Sequence, residues 1–136
     1  MTSGWEGPMK ILRFLTLCFA LVLCGCASQW VFLTESGGTG YYLDARSPQR
    51  YSETVWEVRE RFFNKTTQRW YLEAEARYDC QEKTFMTVLL RGFSEHRPLA
   101  RPEMIQGNVP VTVSPDSPEE ARLQAICAIV EGGEGS

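Results

Sequence analysis

Histidine is nearly absent: His96 is the single one in 136 residues. A zinc centre built on paired histidines is therefore excluded, and so is any catalytic set that needs a second imidazole. His96 lies between Glu95 and Arg97 in a polar stretch, where an exposed loop residue is the expectation. Positive charge is not in excess either. Fourteen Lys and Arg stand against 17 Asp and Glu, for a net charge of −3. A mildly acidic chain with interspersed signs is a poor match for a phosphate backbone, so nucleic acid is not an expected partner. The glycines at 37, 38 and 40 lack the spacing and the following helix of a phosphate-binding loop. No internal repeat is present, and no apolar run approaches the roughly twenty residues of a spanning helix.

The longest apolar run is short and has positive flanks. Lys10 and Arg13 precede Phe14–Leu23, an apolar stretch of about ten residues, which is the length of a signal-peptide core. Met1 to Pro8 is polar and carries Glu6, so Met9 is a plausible alternative start. The run closes on Leu23-Cys24-Gly25-Cys26, which resembles the bacterial lipobox: an aliphatic residue and two small ones ahead of a cysteine. Small groups admit a peptidase to the bond before Cys26, and the thiol accepts lipid. The motif implies removal of residues 1–25, a diacylglyceryl thioether on Cys26 and an acyl group such as palmitate on its freed amine. Several chains, each methylene contributing about 0.8 kcal/mol, hold a protein on a membrane where one is marginal. Ala27 stands where inner-membrane lipoproteins carry aspartate, which implies the outer membrane. A secretory signal cut near Ala27, or a retained anchor helix, is the alternative.

Cleavage before Cys26 leaves 136 − 25 = 111 residues, with a net charge of 12 − 16 = −4 once Lys10, Arg13 and Glu6 are gone. Of five cysteines, Cys80 and Cys127 remain unassigned. Two thiols in an exported domain pair by default, and a loop of 127 − 80 = 47 residues gives a bridge worth about 4 kcal/mol in the chain-entropy model. Two unpaired buried thiols are the alternative.

After the tether at 26–29, β-rich runs alternate with turn residues. Strands are expected at Trp30–Thr34 and Tyr41–Asp44, with Glu35 to Gly40 a flexible turn between them. A third runs from Val55 to Phe63, with Trp56, Val58 and Phe62 on one face and Glu57, Arg59 and Arg61 on the other. The next is the clearest: Trp70, Leu72, Ala74, Ala76, Tyr78 and Cys80 share a face, against Glu73, Glu75, Arg77 and Asp79. Such alternation indicates one buried and one wet face of an antiparallel sheet. A further strand covers Thr84–Arg91, Ser94 to Gly107 reads as a polar, proline-broken loop, and Val109–Val113 reads as an edge strand because Pro110 lacks a ladder donor. Ser117, Pro118 and Glu120 then announce a helix by their capping pattern. Leu123, Ile126, Cys127 and Val130 form its apolar stripe, so both Cys80 and Cys127 face the same core. Residues 131–136 read as a frayed tail. The expected class is α+β: an antiparallel sheet of about five to six strands with one C-terminal helix packed on it.

Tyr42-Leu43-Asp44, Val55-Trp56, Tyr78-Asp79-Cys80, Ser114-Pro115-Asp116-Ser117 and Ile126-Cys127, in that order, resemble the surface-adhesin protein E family. The similarity spans roughly residues 30 to 128, within a domain taken as 30–130. It implies an antiparallel sheet flanked by a C-terminal helix, and a disulfide from a sheet cysteine to that helix, here Cys80 to Cys127. It also implies adhesion, with extracellular-matrix and serum proteins as partners of the family's best-known member.

No catalytic residue, metal ligand or cofactor is expected. Glu73 and Glu75 share one wet face beside Arg77, which suits cross-strand ion pairs better than acid–base work. Trp30, Tyr41, Tyr42, Trp56, Trp70, Tyr71 and Tyr78 are mostly at core-facing positions. Tyr71 is the exception, expected on the polar face with Glu73, and is the one candidate ligand-binding residue. The functional expectation is a lipid-anchored, non-enzymatic envelope protein with an adhesin-like protein-binding domain. A structural or assembly-accessory outer-membrane lipoprotein facing the periplasm is the alternative. Exposed sheet edges also allow a homodimer.

Overall fold

The computed structural model describes residues 29–105 and 108–134; the signal segment, Met9, Cys24 and the lipidation candidate Cys26 lie outside them. The first hairpin joins β1 (Trp30–Ser36) to β2 (Thr39–Asp44) through Gly37 and Gly38 alone. Both glycines have positive φ, +57° and +82°, the backbone twist that a two-residue hairpin demands. The turn is thus tighter than the six residues expected: Glu35, Ser36, Thr39 and Gly40 all belong to the ladder.

β3 (Gln49–Arg50) is a short addition to β4 (Val55–Asn64), which pairs with β2 on one side and β5 (Arg69–Asp79) on the other. β6 (Thr84–Ser94) completes the main sheet, running three residues beyond the expected end at Arg91. The stretch expected to be a loop contributes two more strands, β7 (Arg97–Pro98) and β8 (Glu103–Met104), while β9 (Val111–Thr112) is shorter than its apolar run. All three pair with β6, and the order across the sheet is β1-β2-β4-β5-β6-β7, antiparallel throughout.

One helix, α1 (Pro118–Glu134), packs on the sheet and extends past Val130 into the segment read as a tail. Ser117 caps it: its Oγ accepts the Glu120 N–H at 3.1 Å, and the Glu120 carboxylate accepts the Asp116 N–H at 3.3 Å. That is a capping box shifted back by one residue at its return bond. The stripe of Leu123, Ile126, Cys127 and Val130 is buried against Leu43, Val58, Ala76 and Tyr78, with Leu33, Trp56 and Phe85 at the margin. Cys80 and Cys127 form a disulfide with Cα atoms 5.8 Å apart, as both periodicities require.

The same interface holds an ion pair that the apolar pattern hides. Glu60 alternates with Val58 and Phe62 on β4 and is fully buried, and Arg122 beside Leu123 is 5% exposed. The Arg122 Nη2 and Nε donate to the two Glu60 oxygens at 2.9 and 3.2 Å, and the Tyr78 hydroxyl donates to them at 2.8 and 2.9 Å. The guanidinium lies beside the Tyr41 and Phe62 rings, 4.8 and 5.1 Å from their centres. No fully buried polar side-chain atom of the trio lacks a hydrogen-bond partner, the condition under which buried charge is tolerated.

A bulge corrects one expectation about faces. Phe62 pairs with Leu72 but Phe63 pairs with Trp70, so Tyr71 is the extra residue. One extra residue reverses the alternation beyond it. Trp70 therefore leaves the helix side and joins Glu73 on the helix-free face. Tyr71, expected beside Glu73, turns instead toward the helix side near Phe62, with ring centres 6.3 Å apart, and its hydroxyl meets that of Thr39 at 3.1 Å.

Candidate functional site

The helix-free face is built from opposed charges and clustered rings. The register sets Glu57 against Arg77, Arg59 against Glu75 and Arg61 against Glu73. Each couple forms an ion pair, at 2.9, 3.7 and 3.0 Å respectively, and Arg91 approaches Glu73 from β6 at 3.8 Å. Glu73 and Glu75 are thus held by cross-strand partners, as expected of them, and Glu73 is more buried than a wet face implies. Arg59 also reaches Asp44 at 3.8 Å, on the rim of a polar cleft of about 320 Å³. Charge pairs opposed in this way fix register.

Above the charges lies an aromatic cluster centred on Trp70. Its ring meets those of Tyr42, Phe63 and Trp30 at 5.0, 5.2 and 6.1 Å, and Phe32 packs edge-on to Tyr42 at 5.4 Å. The Arg61 guanidinium sits 4.2 Å from the Trp30 ring centre and 5.2 Å from that of Phe93. Trp30 and Trp70 stand on strands separated by two others and offset along them, so a flat sheet would hold their Cα atoms about 20 Å apart. Their contact shows that the sheet's twist folds this diagonal toward the helix-free face. The rings are half-buried, and Phe32 is 52% exposed. Trp70, Phe93 and Tyr71 border a cleft of about 570 Å³ with Asn64, Arg69 and Glu95.

A different surface runs along the outer edge of β6. Leu99 stands beside Gly92, Met104 beside Leu89 and Val111 beside Phe85, so exposed apolar side chains line most of the length of that strand. Val109 is exposed as well, and Met104 is 65% exposed. The edge is held by the Ile105 N–H on the Val88 carbonyl, the Val113 N–H on the Lys83 carbonyl, and the Asn108 amide on the Thr87 carbonyl. Val111 falls in the edge strand expected at Val109–Val113, whereas reading residues 94–107 as a polar loop missed Leu99 and Met104. Their signal was thin: isolated apolar residues among prolines, arginines and glutamates, with no period to register.

His96 is exposed in the turn between β6 and β7. Among the described residues no group of three or more His, Cys, Asp or Glu is arranged to hold a metal ion. Three groups around the sheet–helix interface are displaced from their ordinary protonation behaviour. Burial pushes the Tyr78 hydroxyl well above the usual tyrosine value, with Glu60 adding to the shift, and burial also raises Tyr41 against the opposing charge of Arg122. Burial by itself lowers Arg122, but the Glu60 carboxylate and the Tyr78 hydroxyl together outweigh it and strengthen the guanidinium's hold on its proton.

The profile of the surface-adhesin protein E family matches residues 30–128, from the first residue of β1 into the helix. The chain belongs to the surface-adhesin protein E family. Its fold is similar to that of Haemophilus influenzae protein E, with a TM-score of 0.54 at 14% identity over 74% of this chain and 85% of that one. No curated relative matches it in sequence. The sheet-to-helix disulfide and the C-terminal helix that the resemblance implied are both present. As a member of this family the chain is an adhesin-like protein of the cell surface or envelope. No helix among the described residues is long and apolar enough to cross a membrane.

Proposed function

We propose that this protein is a lipid-anchored, non-enzymatic envelope protein that binds an extracellular protein partner through the outer edge of β6. The observation that carries the reading is the row of exposed apolar side chains there, Leu99, Met104, Val109 and Val111, on the sheet edge opposite the tethered strand β1. Water-exposed apolar surface of this extent marks an interaction site. Membership of an adhesin family supports a protein as the partner. The lipobox at Leu23–Cys26 supports attachment through Cys26 to the outer membrane. Paired carboxylates and an exposed lone histidine support a role without catalysis.

The test is whole-cell binding to surfaces coated with extracellular-matrix proteins and serum proteins. Cells carrying Met104→Glu with Val111→Glu bind less than wild type, while the variant keeps its disulfide and its circular dichroism. Undiminished binding by that folded variant overturns the edge as the binding surface. Labelled palmitate enters the wild type and not Cys26→Ser. Protease added to intact cells removes the domain; complete protection would favour the periplasm-facing, structural reading.

A further inference from the structure

The tether is short, and its end is fixed. Gln29 is held at the end of β2: its carbonyl accepts the Ala45 N–H at 2.7 Å and its side-chain amide donates to Asp44 at 3.4 Å. Only Ala27 and Ser28 lie between this anchored residue and Cys26. Three virtual bonds span at most about 10 Å, so Gln29 stays within that distance of residue 26 whatever path the chain takes. The polar layer of a bilayer is itself about 5–7 Å deep on each side. The next residue, Trp30, opens β1 and belongs to the aromatic cluster of the helix-free face.

Resting on the lipidation of Cys26, we infer that this cluster lies in the interface of the membrane that carries the anchor, with Trp30, Phe32 and Trp70 among the phospholipid headgroups. The chemistry of the face fits that occupant. Trp and Tyr rings, apolar in body and polar at one tip, concentrate at membrane–water boundaries. Arg61 and Arg91 share the single carboxylate of Glu73, which leaves the group one formal positive charge beside lipid phosphates. Phe32, the most exposed ring of the cluster, is on the edge strand nearest the tether. No element among the described residues covers this face, since α1 packs on the other. Val111 stands beside Phe85, about 25 Å along β6 from Phe93, so that end of the binding edge stays clear of lipid.

The experiment uses the acylated full protein, purified from membranes and reconstituted in phosphatidylethanolamine–phosphatidylglycerol vesicles with lipids brominated near the headgroup. Trp56→Phe leaves Trp30 and Trp70 as the emitters of the mature chain. Their emission is shifted to the blue and lost to bromine quenching, whereas the Trp30→Phe/Trp70→Phe form, emitting from Trp56 alone, is not quenched. Phe32→Asp, a change at a half-exposed site, relieves the quenching in the Trp56→Phe background without unfolding the domain. Acylated protein whose Trp30 and Trp70 are unquenched overturns the inference and leaves the anchor standing. If those two tryptophans are also shielded from aqueous acrylamide, a second copy or another protein occupies the face instead. Absence of the acyl mass on Cys26 removes the anchor, and this inference with it.

Discussion

Glu60 and Arg122, 62 residues apart in sequence, meet in the dry interface between sheet and helix through two hydrogen bonds of 2.9 and 3.2 Å. Each is the other's countercharge, and the Tyr78 hydroxyl completes the carboxylate's shell. This couple sets how α1 lies on the sheet, because an arginine fork and a carboxylate match only when their planes align.

Removing one partner strands the other. Arg122→Met leaves Glu60 buried with one remaining donor, and we expect a loss of about 3–5 kcal/mol. The triple change Glu60→Leu, Tyr78→Phe and Arg122→Met removes every polar group at once and costs much less. Urea denaturation of the three proteins checks the order. A single variant as stable as the triple one would mean that water reaches the site.

The bridge between Cys80 and Cys127 constrains a loop of 47 residues. Replacing both cysteines by alanine lowers stability by about 4 kcal/mol. Because the helix is also held by the ion pair, the reduced protein retains its helical circular dichroism in buffer and unfolds at lower urea. Unchanged midpoints for the oxidised and alanine forms would contradict this.

Tyr78 carries an alkaline signature. Its hydroxyl pKa is raised in the folded state, by burial first and by Glu60 second. Above about pH 10 the unfolded chain releases this proton while the folded chain keeps it, so the unfolded state binds fewer protons and stability falls as pH rises. The decline is about 1.4 kcal/mol per pH unit from this one group, continuing up to the folded-state value. Tyr78→Phe flattens the slope, at the expense of the Glu60 hydrogen bond at neutral pH. Denaturation midpoints from pH 9 to 11 provide the measurement.

The hairpin turn tests backbone conformation alone. A Cβ on Gly37 or Gly38 meets nothing within 4 Å, yet both have positive φ. Alanine at Gly37 therefore costs about 1 kcal/mol through strain with no steric clash. Asparagine, which tolerates that region, costs less. Thermal melts of the two variants rank them.

Much of the architecture could be read from residue order. The alternation from Leu72 to Cys80 and the stripe from Leu123 to Val130 fixed both faces of the core and brought the two thiols together. Three features escaped for physical reasons. A bulge leaves no mark in hydrophobic periodicity, since Trp70 and Tyr71 are both aromatic and either fits either face. Glu60 carries no signal of its own in the sequence, and only its pairing with Arg122, the helix's one basic residue, gives it meaning. Strands β7 and β8 on the β6 edge were illegible because two-residue strands are selected by the partner they lie against rather than by their own composition.

The helix is the last element among the described residues. Everything it covers, from Leu43 on β2 to Tyr78 on β5, precedes it in the chain, so the interior stays open until the helix has followed. A stop codon just ahead of Pro118 would thus not trim an appendage. It would remove the lid from the oil, the countercharge from Glu60 and the second sulfur from Cys80 in a single event, and what emerged would be a substrate for the envelope's proteases.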